Sequence, residues 1–393
     1  MIKVIIFDGD GTLQFPNPSE EMRNFIALLP ELGITMAIAS NGSRRQIINN
    51  FEAADLDVPD IIVTPADLGT TSAGRLIKKP SPDFVYRIRK LTQVELNEIM
   101  YVGDDDNTDA FCAINAGVLP LAAKYSTANT PRNYGFQITT PSNLEGYIKR
   151  FAKQKEPYFG WSFQNPELGV DTRAVFGDQG SLKESLRSIL KEEKDQNIGK
   201  NQISARVLLF MSFMTQLYLS GISTQIDVVA VYPGHMTGKF NKTLSVFLDY
   251  TAKLFNDKFY RDLLVRHIDA PKSQHQGAAR NIFDQFRTIH VNENYRRKIQ
   301  GKTILILDDF TTAGYSLETA RHMLLKAGAS KVIGLAIAKF RRTHAVAEIK
   351  ETWDPYQPFS LKQSDIKLTD YPGVSNSNSD NHFFHHIWNH YNR

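Results

Sequence analysis

Residues 2–7, IKVIIF, form a short β-rich run, apolar except for Lys3, that ends directly on Asp8. From Val4 to Phe7 no polar residue interrupts it, so it reads as a buried parallel strand that delivers the next residue to the sheet's carboxyl edge. Parallel strands need long crossover connections, usually helices, so this reading constrains what must follow. Further strand candidates are Ile34–Ala39, Ile61–Thr64 and Ile99–Val102, with helical stretches at Ser19–Leu32 and Ser81–Leu91 between them. The alternation predicts a doubly wound α/β domain over residues 1–150, with ligands expected at the carboxyl ends of its strands.

A chain of 393 residues exceeds what one hydrophobic core usually organises, and a second α/β unit is legible further on. Residues 151–222 read as a connecting and helical segment: irregular to residue 180, then a helix over Ser181–Asp195 that opens with the capping pair Ser181 and Glu184, then a second helix near Ser204–Leu219. Strands at Ile226–Tyr232, Thr303–Leu307 and Lys331–Ala338, with helices near Thr243–Phe255 and Ser316–Ala327, predict a domain over residues 223–345. Residues 346–393 read as a C-terminal tail. Of its His382, His385, His386 and His390, His386 and His390 have a four-residue spacing suited to a metal, but the interleaved Phe383, Phe384 and Trp388, with Tyr391, favour an aromatic docking segment.

Composition excludes several classes. With 42% hydrophobic residues, 22% charged and a net charge of +4, the chain is an ordinary globular sequence. There is no dense basic run, so nucleic acid is not indicated as a partner. The single cysteine, Cys112, excludes an intramolecular disulfide and a cysteine-based zinc site. The greasiest stretch, Val207–Leu219, is too short for a bilayer and carries Thr215 and Gln216, which favours a buried helix. The N-terminal apolar run is too short for a secretion signal, so no membrane and a cytoplasmic location are expected. A homo-oligomer or a partner protein stays open.

The first chemical segment is DGDGTL, Asp8 to Leu13. Two carboxylates one residue apart, after a buried strand and before a turn eased by Gly11, can divide labour: one attacks a phosphoryl group while the other protonates the leaving oxygen. Ser40 and Asn41 close the second strand, where a hydroxyl and a backbone N–H suit phosphoryl oxygens. Lys79, in KKPSPDF, can offset crowded negative charge. Asp104, Asp105 and Asp109, in VGDDDNTD, can complete an oxygen-rich Mg2+ site. In this order and spacing the four pieces resemble the haloacid dehalogenase superfamily over about Ile2 to Ala122. The resemblance implies Asp8 as nucleophile, Asp10 as general acid and base, Lys79 as stabilising lysine, Ser40 as phosphoryl-binding residue, and a metal held by Asp8, Asp10, Asp104 and Asp105, with Asp109 the alternative to Asp105 in supporting Asp104. An aspartate at position 10 points to a phosphatase. Neither intervening gap, 11–35 or 41–78, holds a large lid, which is similar to the capless phosphatases; the second domain could serve as cover.

The second chemical segment is TILILDDFTTAGYSLET, Thr303 to Thr319. An apolar strand, two acids and a loop of small and hydroxyl residues opening a helix make a phosphate cradle beside ribose-binding carboxylates. This resembles the phosphoribosyl diphosphate motif of type I phosphoribosyltransferases, and QGAARN, Gln276 to Asn281, is similar to the mobile loop of their ComF-like branch. The resemblance implies that Asp308 and Asp309 bind ribose and that Thr311, Thr312, Ala313, Gly314, Tyr315 and Ser316 surround the 5-phosphate. Tyr232 to His235, with Arg280 and Lys239, would lie towards diphosphate. Ala313 stands where the family commonly has Thr, and Tyr315 is bulkier than usual. The expected fold is therefore α/β with two Rossmann-like domains, a parallel haloacid-dehalogenase-like sheet and a phosphoribosyltransferase-like sheet. The expected function is a bifunctional Mg2+-dependent enzyme of nucleotide-type metabolism, acting on a small phosphorylated substrate and on phosphoribosyl diphosphate. The alternative is a second half that senses a nucleotide or phosphoribosyl diphosphate, within a stress or antiviral system.

Overall fold

The computed structural model describes residues 1–9, 11–152, 159–177, 197–198, 203–238, 244, 259–270 and 281–376. Its first sheet has six parallel strands: β1 (Val4–Asp8), β2 (Thr35–Ala39), β3 (Ile61–Val63), β4 (Ile99–Gly103), β5 (Leu119–Ala123) and β6 (Phe136–Ile138). Their spatial order is β3-β2-β1-β4-β5-β6. Because side chains alternate along a strand, β1 divides its apolar residues between two covered faces. Val4 and Ile6 meet Phe84, Val85 and Ile88 of the helix Asp83–Thr92 and Cys112 of the helix Phe111–Ala116. Ile5 and Phe7 pack in the layer of Met22 and Phe25 from the helix Glu20–Leu28. The order reverses direction between β1 and β4, which opens a crevice at their carboxyl ends.

The strands expected from sequence form within a residue or two of their expected bounds, and β5 and β6 join them. Leu119–Ala123 carries Pro120, which argues against a strand with neighbours on both sides, yet β5 pairs with β4 and with β6.

The second sheet departs further from expectation. Val228–Val231, Thr303–Thr311, Lys331–Lys339 and Val170–Phe176 run parallel in that order, but Trp161–Asn165 adds antiparallel to Val170–Phe176 and Val374–Ser375 adds antiparallel to Trp161–Asn165. The sheet is mixed, not the purely Rossmann-like sheet expected, because two segments read as connector and tail supply strands. Residues 161–176 looked irregular since Val170–Phe176 buries Asp171, whose carboxylate takes bonds from Arg173 and Gln164. Beyond Lys339, where the pattern faded, Thr343–Ile349 pairs with Ile366–Pro372 as an antiparallel ribbon. Buried Glu318, on the helix Tyr315–Lys326, fastens this ribbon by accepting bonds from the Ala347 N–H at 2.8 Å and from Arg321 at 2.6 and 2.8 Å. Burial alone would raise the Glu318 carboxyl, and the bonds from Arg321, with the His322 and His344 rings close by, hold it well below its usual range.

The helix Ala205–Leu219 joins the two sheets. Leu209, Phe213, Leu217 and Leu219 lie in one continuous apolar core with Leu119 and Leu121 of the first sheet and Val229, Leu305 and Leu335 of the second. Its hydroxyls and amide sit inside as well: Thr215 meets the Tyr147 hydroxyl at 2.6 Å, and Ser212 and Gln216 are buried. Burial of apolar and polar positions alike between Leu209 and Leu219 makes this a buried helix, as its sequence implied. At the amino ends of β4 and β5, the Asn97 amide donates to the Leu219 carbonyl at 3.1 Å and the Ser223 hydroxyl donates to the Gly117 carbonyl at 3.4 Å.

The expected helices at Ser181–Asp195 and Thr243–Phe255, the loop Gln276 to Arg280, Lys239 and the histidine-rich end lie outside the described residues.

Candidate active site

Asp8 ends β1, Ser40 follows β2, and Asp104 follows β4, so three strand ends deliver three polar side chains to one crevice. Lys79 arrives from the loop before the helix Asp83–Thr92. Its ammonium donates to Asp8 Oδ1 at 2.5 Å and to Asp109 Oδ1 at 2.6 Å, and the residue is 6% exposed. The Asn41 side-chain carbonyl holds this loop by accepting the Lys79 backbone N–H at 2.8 Å. The Ser40 hydroxyl accepts the Gly42 N–H at 2.9 Å and lies beside Gly9, where a Cβ would come within 3.0 Å of Ser40 Cβ.

Asp8, Asp104 and Asp109 are all buried, and each offers a carboxylate oxygen within 4.8 Å of the others. Asp109 is the most enclosed. Its Oδ1 also accepts from the Tyr101 hydroxyl at 3.4 Å, and its Oδ2 accepts the N–H groups of Asp104 and Asp105 at 3.2 Å. Burial pushes the Asp109 carboxyl up to about 7, with Lys79 opposing and Asp8 adding to the rise. Burial raises Asp104 too, against a hydroxyl bond from Ser126. For Lys79, burial disfavours the charge, but Asp8 and Asp109 outweigh it and raise the ammonium above its ordinary value.

Three buried acids around one ammonium leave an excess of negative charge, and their hard oxygen donors suit Mg2+ or a similar divalent cation. The structure thus fits the metal that the sequence implied, through Asp8, Asp104 and Asp109. Asp105 stands elsewhere: its carboxylate caps the following turn, accepting the Asn107 N–H at 3.0 Å and the Thr108 hydroxyl at 3.1 Å. Asp10 lies outside the described residues. Sequence reasoning missed Tyr101, Ser126 and Arg132, since an isolated tyrosine, serine or arginine carries no spacing signal.

Residues 14–123 match the family model of haloacid dehalogenase-like hydrolases. The N-terminal region is a haloacid dehalogenase-like hydrolase domain. Among solved structures similar to the chain, an uncharacterized protein from Listeria monocytogenes serotype 4b is 15% identical, covering 39% of this chain and 100% of that one, with a TM-score of 0.30. HAD phosphatase from Thermococcus onnurineus is 18% identical over 33% of this chain and 58% of that one, with a TM-score of 0.27. NagD from E. coli K-12 is 14% identical over 36% and 98%, with a TM-score of 0.31. No curated protein matches the chain. The family match of the hydrolase domain ends at residue 123, before the second sheet begins.

The second acidic loop closes the strand Thr303–Thr311. Asp308 is buried; its Oδ1 accepts the Asp309 N–H at 2.9 Å and its Oδ2 accepts the Ser316 hydroxyl at 2.5 Å. Asp309 turns its carboxylate to the Phe310 N–H at 2.6 Å. The Thr311 hydroxyl is buried with no hydrogen-bond partner among the described residues. Lys339 donates to the Thr312 carbonyl, and the Ala313 carbonyl accepts the Ala345 N–H at 2.8 Å. Gly314 has a left-handed φ of +92° and precedes Tyr315, the first residue of the helix. A Cβ there would also strike the His344 ring, 2.2 Å from Nδ1, so this turn requires glycine twice over. Tyr232 follows the neighbouring parallel strand, which brings Tyr232 to His235 to the same sheet edge as Asp308.

Proposed function

We propose that the hydrolase domain is a Mg2+-dependent phosphatase for a small phosphorylated substrate, working through an aspartyl phosphate on Asp8. The observation that carries this reading is the buried set of Asp8, Asp104 and Asp109 around Lys79 at the crevice where the strand order reverses. In the first step an Asp8 oxygen attacks phosphorus, the bond to the leaving oxygen breaks, and Asp10 supplies that oxygen with a proton. In the second, Asp10 takes a proton from water, whose oxygen attacks the same phosphorus and releases inorganic phosphate with Asp8 restored. The Ser40 hydroxyl and the Asn41 backbone N–H bind phosphoryl oxygens. Lys79 pairs with Asp8 and offsets charge on the transferring group. A divalent cation on Asp8, Asp104 and Asp109, supported by Asp10, supplies further charge stabilisation when bound.

Incubation with p-nitrophenyl phosphate and a panel of sugar and nucleoside monophosphates tests this, with Mg2+ present and released phosphate measured. Release that persists unchanged in Asp8→Asn removes the reading.

For the second half, we propose binding of phosphoribosyl diphosphate or a nucleotide at the loop from Asp308 to Ser316, with transfer and sensing as its two forms. The buried Thr311 hydroxyl near the glycine turn, unpartnered among the described residues, supports a ligand there. Sensing gains from Ser316, whose hydroxyl is engaged by Asp308, and from bulky Tyr315 at the helix start. Calorimetry with phosphoribosyl diphosphate, followed by a base panel with diphosphate release as readout, separates the two. Sustained base-dependent turnover selects a bifunctional enzyme, and tight binding without turnover selects a sensor regulating the phosphatase or a partner protein.

A further inference from the structure

The segment between β5 and β6, residues 124–135, crosses the crevice beside Asp104 and is fastened there by several side chains. The Ser126 hydroxyl donates to Asp104 Oδ2 at 2.6 Å, and the Thr130 hydroxyl donates to the Asp104 backbone carbonyl. The Arg132 guanidinium binds the carbonyls of Ala123 at 3.2 Å, Ser126 at 2.5 Å and Ala128 at 2.6 Å, drawing the segment into a closed turn. Asp106, the residue directly after Asp104 and Asp105, accepts the N–H groups of Asn133 at 2.7 Å and Tyr134 at 3.1 Å. Ser126 is 6% exposed, so its bond to Asp104 is shielded from competing water.

Gly11 shows how closely the acidic loop lies over this pair. A Cβ at position 11 would stand 2.1 Å from Asp104 Oδ2 and 2.9 Å from Ser126 Oγ. One oxygen of Asp104 is thereby occupied by a hydroxyl and sealed under the backbone of the loop that bears Asp8. That leaves Oδ1 as the oxygen through which Asp104 can meet a cation. A carboxylate held this way has one rotamer and one available oxygen, the arrangement that outer-shell hydrogen bonds impose on metal ligands.

We infer that Ser126 is a positioning residue of the phosphatase site, presenting a single Asp104 oxygen to the divalent cation while Thr130 and Arg132 hold the segment that carries it. The inference rests on the metal-dependent reading of the Asp8 crevice, and its test separates the two. Mn2+ binding is followed by the free-ion electron paramagnetic resonance signal, without substrate, in the wild type, Ser126→Ala, Ser126→Thr and Asp104→Asn. The expected results are a Kd about 10-fold weaker in Ser126→Ala, recovery in Ser126→Thr, and loss of binding in Asp104→Asn. In turnover, Ser126→Ala raises the Mg2+ concentration needed for half-maximal rate by the same factor, while the rate at saturating Mg2+ stays near that of the wild type. Wild-type affinity in Ser126→Ala, alongside loss in Asp104→Asn, overturns the role of Ser126 and leaves the metal site standing. Equal Mn2+ binding by the wild type and Asp104→Asn, or none by either, overturns the metal site and this inference with it. Circular dichroism melts confirm that the variants compared are folded.

Discussion

Two acidic loops occupy corresponding places in the two sheets, each at the carboxyl end of an inner parallel strand, and they treat buried charge differently. Around Asp8 the acids are crowded but compensated, with Lys79 bonded to two carboxylates and backbone N–H groups bonded to Asp109. Around Asp308, among the described residues, the carboxylate receives one hydroxyl and one N–H, and no lysine or arginine forms an ion pair with it. Burial, with Asp309 next to it, pushes the Asp308 carboxyl well above its ordinary value. The first loop is organised around charge in the absence of substrate. The second tends to hold its proton until something arrives that favours the anion.

The sharpest way to break this contrast is to neutralise each acid. Asp8→Asn is expected to bring phosphate release to background and Asp308→Asn to leave it unchanged in the same assay. A large loss from Asp308→Asn would mean that the loops work as one site.

Removing the compensating cation should act on stability as well as rate. Lys79→Met strands Asp8 and Asp109 as buried acids, at a cost of about 3–5 kcal/mol in urea unfolding. The deficit should be greater at about pH 8 than at about pH 5, where Asp109 can take a proton.

The pH dependence of the wild type follows from the same group. The folded state holds the Asp109 proton up to about 7 against an ordinary value of 3.8, so between these the folded protein binds more protons than the unfolded chain. Metal-free stability should therefore fall as pH rises through that window, by at most ~1.4 kcal/mol per unit. Raised Asp104 acts in the same sense. Thermal melts in chelator across this range should show the fall, and millimolar Mg2+ should flatten it.

The smallest effect belongs to Asp308. Its raised folded value also makes stability decline as pH rises above the ordinary carboxyl range, so Asp308→Asn should melt slightly higher than the wild type at about pH 8 and no higher at about pH 4. A lower melting temperature at both would indicate a charged partner for Asp308.

Much of the first site is legible in the sequence because its chemistry is written at strand ends. Apolar runs give the strands away, and the residue after each run is placed by topology, so the order of residues alone assigns Asp8, Ser40 and Asp104 to one crevice. Lys79 follows from its company in the motif. Choosing between Asp105 and Asp109 is beyond sequence, since both follow β4 closely; the tight turn over Asp106–Ala110 sends one carboxylate to a cap and the other to Lys79. The mixed character of the second sheet is hidden for another reason. Buried Asp171 and half-buried Arg173 satisfy each other within one strand, so a core strand reads as polar, and Pro120 likewise disguises β5.

The helix Ala205–Leu219 has a consequence for how this pair of units can be inherited. Ordinary fused modules meet across polar surfaces and can be exchanged, because each keeps a finished exterior. Here Leu209, Phe213 and Leu217 belong to a layer whose two sides are floored by different sheets. A fragment cut away before this helix would present bare hydrocarbon where its neighbour had been, and so would the remainder. Either unit expressed without this helix is therefore expected to expose apolar surface and aggregate.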